Sequence, residues 1–150
     1  MTDDQHALVR DTWTRLAPSA ERLSAMFYER LFELDPSSQR FFDTAAMPAQ
    51  RWKFARMLAE IAAVEADPRT LVRVAASLGR RHAGYGVNAT EYAHATVALL
   101  WALEQGLGSA WTPPVRDAWT EAVTLVSSLM RRAAVLDLSL TRSPDFGDTR

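Results

Sequence analysis

The chain has 150 residues, 48% hydrophobic and 23% charged, with a net charge of -1 and no cysteine. That is the size and balance of one globular domain able to bury its own core. It excludes the strongly basic surface of a nucleic-acid binder, disulfides, thiolate metal sites, cysteine-held iron–sulfur clusters and thioether-attached cofactors.

Apolar positions recur with a period of about 3.6 and no stretch alternates with period two, which predicts an all-α chain. Thr2-Asp-Asp-Gln5 has the spacing of a capping box and opens a helix over about 3–17. A second helix runs over about 19–34. Asp35-Pro36, Asp67-Pro68 and Thr112-Pro113 each set a capping side chain before a proline. They start a short turn of helix near 36–42 and helices at about 68–82 and 113–136. Pro48 opens a helix over about 48–66, and Asn88-Ala-Thr-Glu91 caps one over 88–107. Gly84, Gly86, Gly106 and Gly108 fall where helices should stop. The expectation is a single domain spanning 1–150, with a core over about 5–136 and a loose tail at 137–150. The acidic N-terminus MTDDQHALVR lacks the layout of a secretion signal. The longest apolar run, around ATVALLWAL, is too short to span a bilayer. The resulting expectation is a cytoplasmic protein with no membrane and no nucleic-acid partner. Phosphate-loop, dinucleotide, zinc-protease and serine-hydrolase motifs are all missing from the sequence.

Three polar residues interrupt otherwise apolar helix faces. The stripe Leu71, Val74, Ala75, Leu78 continues to His82. The stripe Phe54, Met57, Leu58, Ile61 extends back to Gln50, and Tyr28 shares a face with Leu31 and Phe32. Phe41-Phe42 stands in the connection between two of these helices. Each polar residue also has an ordinary reading. A histidine in a last helical turn suits the macrodipole, a core tyrosine finds a carbonyl, and a glutamine near a helix start is solvated. His6 and His94 read as surface or structural residues.

Taken in order, FYERLFELDPSSQRFF, QRWKFARMLAEI and SLGRRHAGYGV form a set that resembles the globins. The likeness is to the single-domain bacterial globins similar to the haem domain of flavohaemoglobins, with features of neuroglobin. It covers about residues 5–136, and the 32 residues from Gln50 to His82 fit its spacing. The resemblance implies about seven helices in a three-on-three arrangement around a haem pocket. In that pattern His82 matches the proximal iron ligand, Tyr28 the distal tyrosine, and Gln50 the distal-helix residue facing the iron. Phe42 matches the phenylalanine that packs on the porphyrin, Phe54 the apolar residue a turn beyond Gln50, and Val87 and Tyr92 the proximal lining. Arg51 and Trp52, beside Gln50, leave the distal register open between the three. For His82 the expected acceptor of the second ring nitrogen's proton is the Leu78 carbonyl, one turn back. Where relatives carry a proximal bracing carboxylate on the last helix, this chain has Ala134, with Asp137 a turn away.

Without cysteine the implied cofactor is non-covalent haem b. The resemblance implies reversible binding of O2 and of other diatomic gases such as NO and CO. It also suggests NO dioxygenation that depends on an external reductase, which leaves enzyme status open. A gas or redox sensor, or an interaction module of globin fold, is the alternative; the end of the chain soon after the seventh helix counts against a sensor. The expected state is monomer or homodimer.

Overall fold

The computed structural model describes residues 1–64 and 67–141, without the side chains of 64 and 136–141. Among these residues there are helices and no strands. The α-helices are α1 (Asp3–Leu16), α2 (Ala20–Leu34), α3 (Met47–Val64), α4 (Pro68–Gly84), α5 (Ala89–Leu107) and α6 (Pro113–Thr141). A 3-10 turn at Pro36–Phe41 stands where a short helix was expected, and further 3-10 turns lie at Ala17–Ser19, Thr44–Ala46 and Gly108–Ala110; the six α-helices roughly match the seven anticipated. No described helix is long and apolar enough to cross a membrane.

The ends follow local chemistry. Thr2 and Gln5 form the reciprocal capping box on α1. The Asp67 side chain accepts from the Arg69 amide at 3.2 Å, just before Pro68 at the start of α4. Asn88 accepts from the Glu91 amide at 2.9 Å to open α5. Gly86, at φ 75, takes the left-handed turn after α4 that a side chain would strain. Two expectations are corrected. α6 continues to Thr141 rather than stopping near 136, so only 142–150 of the expected tail lie outside the described residues. Gly106 does not end α5; it lies inside the last turn, where a Cβ would come within 2.7 Å of the Leu16 side chain.

α4 lies along α6, α2 along α5, and α1 packs on α6. The larger apolar cluster joins Val9, Leu23, Phe27, Leu103 and Trp119 with Ala98, Ala102 and Ala118. The three alanines are fully buried, and their size lets the helix backbones approach. Burying each large side chain contributes about 1.5–3 kcal/mol. The one polar atom of Trp119 is satisfied in this core: Nε1 donates to Thr12 Oγ1 at 2.9 Å. A smaller cluster gathers Ile61, Leu71, Ala75, Tyr92, Val126 and Met130. Met57 packs against both clusters.

Candidate functional site

One half of the site is built on α2, α3 and the turn between them. Tyr28 is buried, and its hydroxyl accepts a hydrogen bond from Gln50 Nε2 at 2.9 Å. Burial pushes this phenol up to about 12, with the Gln50 bond pulling the other way. It therefore stays protonated at neutral pH and keeps a proton to donate. Around the pair the walls are aromatic. Phe27 and Phe54 stack at 4.2 Å, and Tyr28 meets Phe42 edge-on at 5.3 Å and Phe54 at 5.4 Å. Gln50 and Phe54 stand one turn apart, which puts both on the face of α3 that looks toward α2.

The neighbours of Gln50 turn elsewhere. The Arg51 carbonyl accepts from the Ser24 hydroxyl at 2.8 Å. Trp52 is 60% exposed and lies against the Arg56 guanidinium, 5.5 Å from its ring. Of the three residues open at this register, Gln50 is the one that meets Tyr28.

The turn that carries Phe42 is tied down by polar contacts the sequence reading did not single out. Arg40 donates to the buried Glu91 at 2.7 Å, and His94 Nδ1 stands 3.1 Å from Asp35 Oδ2. Ser37 and Ser38 donate their hydroxyls to the Asp35 carboxylate and carbonyl, at 2.5 Å and 2.7 Å. The Ser37 bond and then His94 hold the Asp35 carboxyl below its ordinary value. Both cross-links reach the first turns of α5, so the turn is fixed to the helix that carries Tyr92. His94 thus has a structural partner.

The other half is built on α4 and α5. His82 lies in the last turn of α4, half-buried. Its Nδ1 is 2.7 Å from the Leu78 carbonyl, the expected acceptor. A carbonyl only accepts, so Nδ1 carries the proton and Nε2 keeps a lone pair. Among the described residues Nε2 has no hydrogen-bond partner. Burial pushes the His82 pKa below its ordinary value, against the pull of the Leu78 bond and with help from the Arg81 charge. The ring is therefore neutral at pH 7, the form that ligates a metal.

Tyr92 lies beside this ring, centroids 5.8 Å apart, and its buried hydroxyl finds no hydrogen-bond partner among the described residues. Burial raises its pKa, opposed by the charge of Arg131 on α6. Val87 follows Gly86, and its amide donates to the His82 carbonyl at 3.2 Å. Val87, Val74 and Leu78 pack on the smaller cluster. Ala134 offers no proximal carboxylate, and the Asp137 side chain lies outside the described residues.

The structure thus gathers Tyr28, Gln50, Phe42 and Phe54 in one group and His82, Tyr92 and Val87 in another, with Met57 bordering both clusters. Among the described residues no group of three or more His, Cys, Asp or Glu side chains could hold a metal. A lone neutral imidazole beside apolar walls instead suits a metal that brings its remaining ligands in its own macrocycle. The donor set therefore fits haem. Sequence reading gave Asp35 and Glu91 only helix-capping parts, placed Phe27 only within a motif, and assigned nothing to Arg40 or Gly79; the Asp35 side chain makes no capping bond to the turn it precedes. The aromatic pair Phe27-Tyr28 was a usable signal for Phe27; the ion pairs had none, being 51 and 59 residues apart in the chain.

Comparison with known proteins agrees. Neuroglobin of Danio rerio is 28% identical over 145 residues, covering 88% of this chain and 91% of that one. The flavohemoprotein of Xylella fastidiosa is 30% identical over 132 residues, which cover 86% of this chain and 33% of that one. Anaerobic nitrite reductase HBII of Casuarina glauca is 29% identical over 136 residues, covering 81% of this chain and 84% of that one. The family model described as Globin matches residues 25–130. That span includes Tyr28, Phe42, Gln50, Phe54, His82, Val87 and Tyr92, and the chain belongs to the globin family.

Proposed function

We propose that this chain holds haem b non-covalently and binds O2, NO or CO reversibly. The observation that carries the reading is His82, whose Nδ1 is committed to Leu78 at 2.7 Å and whose Nε2 lone pair is left to coordinate. With no cysteine in the chain, nothing could form a thioether link. When bound, haem would supply an iron centre able to take a diatomic gas.

The residues then divide the work. His82 holds the metal and, through the Leu78 carbonyl, keeps one ring orientation. Phe42, Phe54 and Phe27 supply apolar wall and exclude water, which strengthens any polar contact inside. Tyr28 presents a hydroxyl proton to the negative end of the gas. Gln50 donates to the Tyr28 oxygen, which makes that hydroxyl a better donor, so the two side chains act in series. The Tyr28 hydrogen bond is worth about 1–3 kcal/mol to the bound gas. A neutral carbonyl, rather than a carboxylate, braces His82, which favours holding a ligand over cleaving one.

Titrating the reduced holoprotein with CO and with O2 tests this. Saturable uptake of one gas per haem, reversed by removing the gas, supports the reading; a spectrum indifferent to both gases defeats it. The likeness to a flavohemoprotein favours a second reading, in which the same site oxidises NO to nitrate with O2 and electrons from an external reductase. Mixing NO with the reduced, aerated holoprotein and an added reductant separates the two. Sustained nitrate formation supports turnover, whereas a single stoichiometric burst leaves gas binding alone.

A further inference from the structure

The seam between α4 and α6 carries a constraint on His82. Gly79 is buried, and a Cβ built there would lie 2.8 Å from both the Cα and the carbonyl carbon of Met130, and closer still to its carbonyl oxygen. These are backbone atoms of α6, so no side-chain rotation could make room. Ala75, one turn earlier on the same face, is 1% exposed and shares a cluster with Met130. The two helices therefore meet through a glycine and an alanine. Three residues after Gly79 comes His82, and one residue before it comes Leu78, whose carbonyl holds the His82 ring.

The Leu78 carbonyl and the Gly79 Cα belong to one rigid, planar peptide unit. Whatever fixes Gly79 against Met130 fixes the direction in which that carbonyl points. We infer that Gly79 is a positioning residue for the proximal ligand: its missing side chain seats the Leu78–Gly79 peptide on the α6 backbone and so sets the orientation of the His82 imidazole. This rests on His82 being the axial ligand. A methyl group at 79 would lift the peptide off α6, turn the carbonyl and rotate the ring away from its present direction.

The test compares Gly79→Ala with Gly84→Ala in the ferrous holoprotein. Gly84 is on the same helix, and a Cβ there meets nothing within 4 Å. The readouts are the iron–histidine stretching band in resonance Raman and the rate of haem transfer to an excess of apomyoglobin. The expected result is a shifted or broadened band and about tenfold faster haem loss in Gly79→Ala, with both unchanged in Gly84→Ala. A folded Gly79→Ala protein with an unmoved band overturns the inference. If Gly79→Ala yields no folded protein, Ala75→Ser decides: a smaller displacement of the same band supports it, and an unmoved band overturns it. A wild-type protein with no iron–histidine band would defeat the His82 reading itself, and this inference with it.

Discussion

The two halves of the site are built by different means. The distal half is held by side chains from separate elements, α2, the turn after it and α3: Tyr28 with Gln50, Phe27 with Phe54, Tyr28 with Phe42. The proximal half is held mainly by one short segment. His82 bonds back four residues to Leu78, Val87 bonds back to His82, and Gly79 fits against the Met130 backbone of α6. The lesson is one of division: local helix geometry aims the His82 ring, whereas aromatic packing between elements shapes the walls around Tyr28. Damage to each half should therefore look different.

The largest expected effect is on stability, and it should fall on the distal side. Phe27 is 5% exposed and stacked on Phe54, and Phe27→Ala should cost about 3–5 kcal/mol in chemical denaturation. Leu71→Ala, in the smaller proximal cluster, should cost less, about 2–3 kcal/mol. The reverse order would contradict the view that the aromatic half carries more of the packing.

Next come the polar pair and gas release. Tyr28→Phe removes the proposed donor to the gas, so O2 should dissociate about 10–100-fold faster. Gln50→Leu removes only the group that polarises Tyr28, and the acceleration should be smaller, about 3–10-fold. Because the two act in series, the double variant should release O2 no faster than Tyr28→Phe alone. Strict additivity of the two effects would show that Gln50 reaches the gas independently.

The smallest effect links the halves through acid titration. The Ser37 and His94 contacts hold the Asp35 carboxyl below its ordinary value of 3.8. An acid depressed by folding contributes stability that is present above its unfolded pKa and lost as pH falls through the folded one. Wild type should therefore lose stability more steeply than Asp35→Asn below about pH 4, and the two should run parallel at neutral pH. Matching acid limbs in thermal melts would mean that the Ser37 and His94 contacts of Asp35 add nothing to folding stability.

The same division explains what could be read beforehand. The capping box at Thr2–Gln5, the Asp67-Pro68 start and the Gly86 turn are short-range rules, so helices and their order were legible. So was the pairing of His82 with Leu78, because four residues apart on a helix means one turn. The distal register between Gln50, Arg51 and Trp52 was not, since it depends on how α3 rotates against α2, and no local rule sets that rotation. Gly79 escaped for a related reason: a glycine inside a helix reads as a weak spot until the backbone packed against it is known. The extension of α6 past 136 was missed because the polar residues there signal an end without enforcing one.

The central claim is that His82 holds a haem iron from one side and leaves the other side to a gas. The direct measurement is the absorption spectrum of ferric, ferrous and CO-bound protein after haemin is supplied, for wild type beside His82→Ala. The account predicts a strong Soret band in wild type that moves when CO is added, and a weakened, displaced band in His82→Ala. Identical spectra for the two proteins, or a wild type that takes up no haemin, would contradict it.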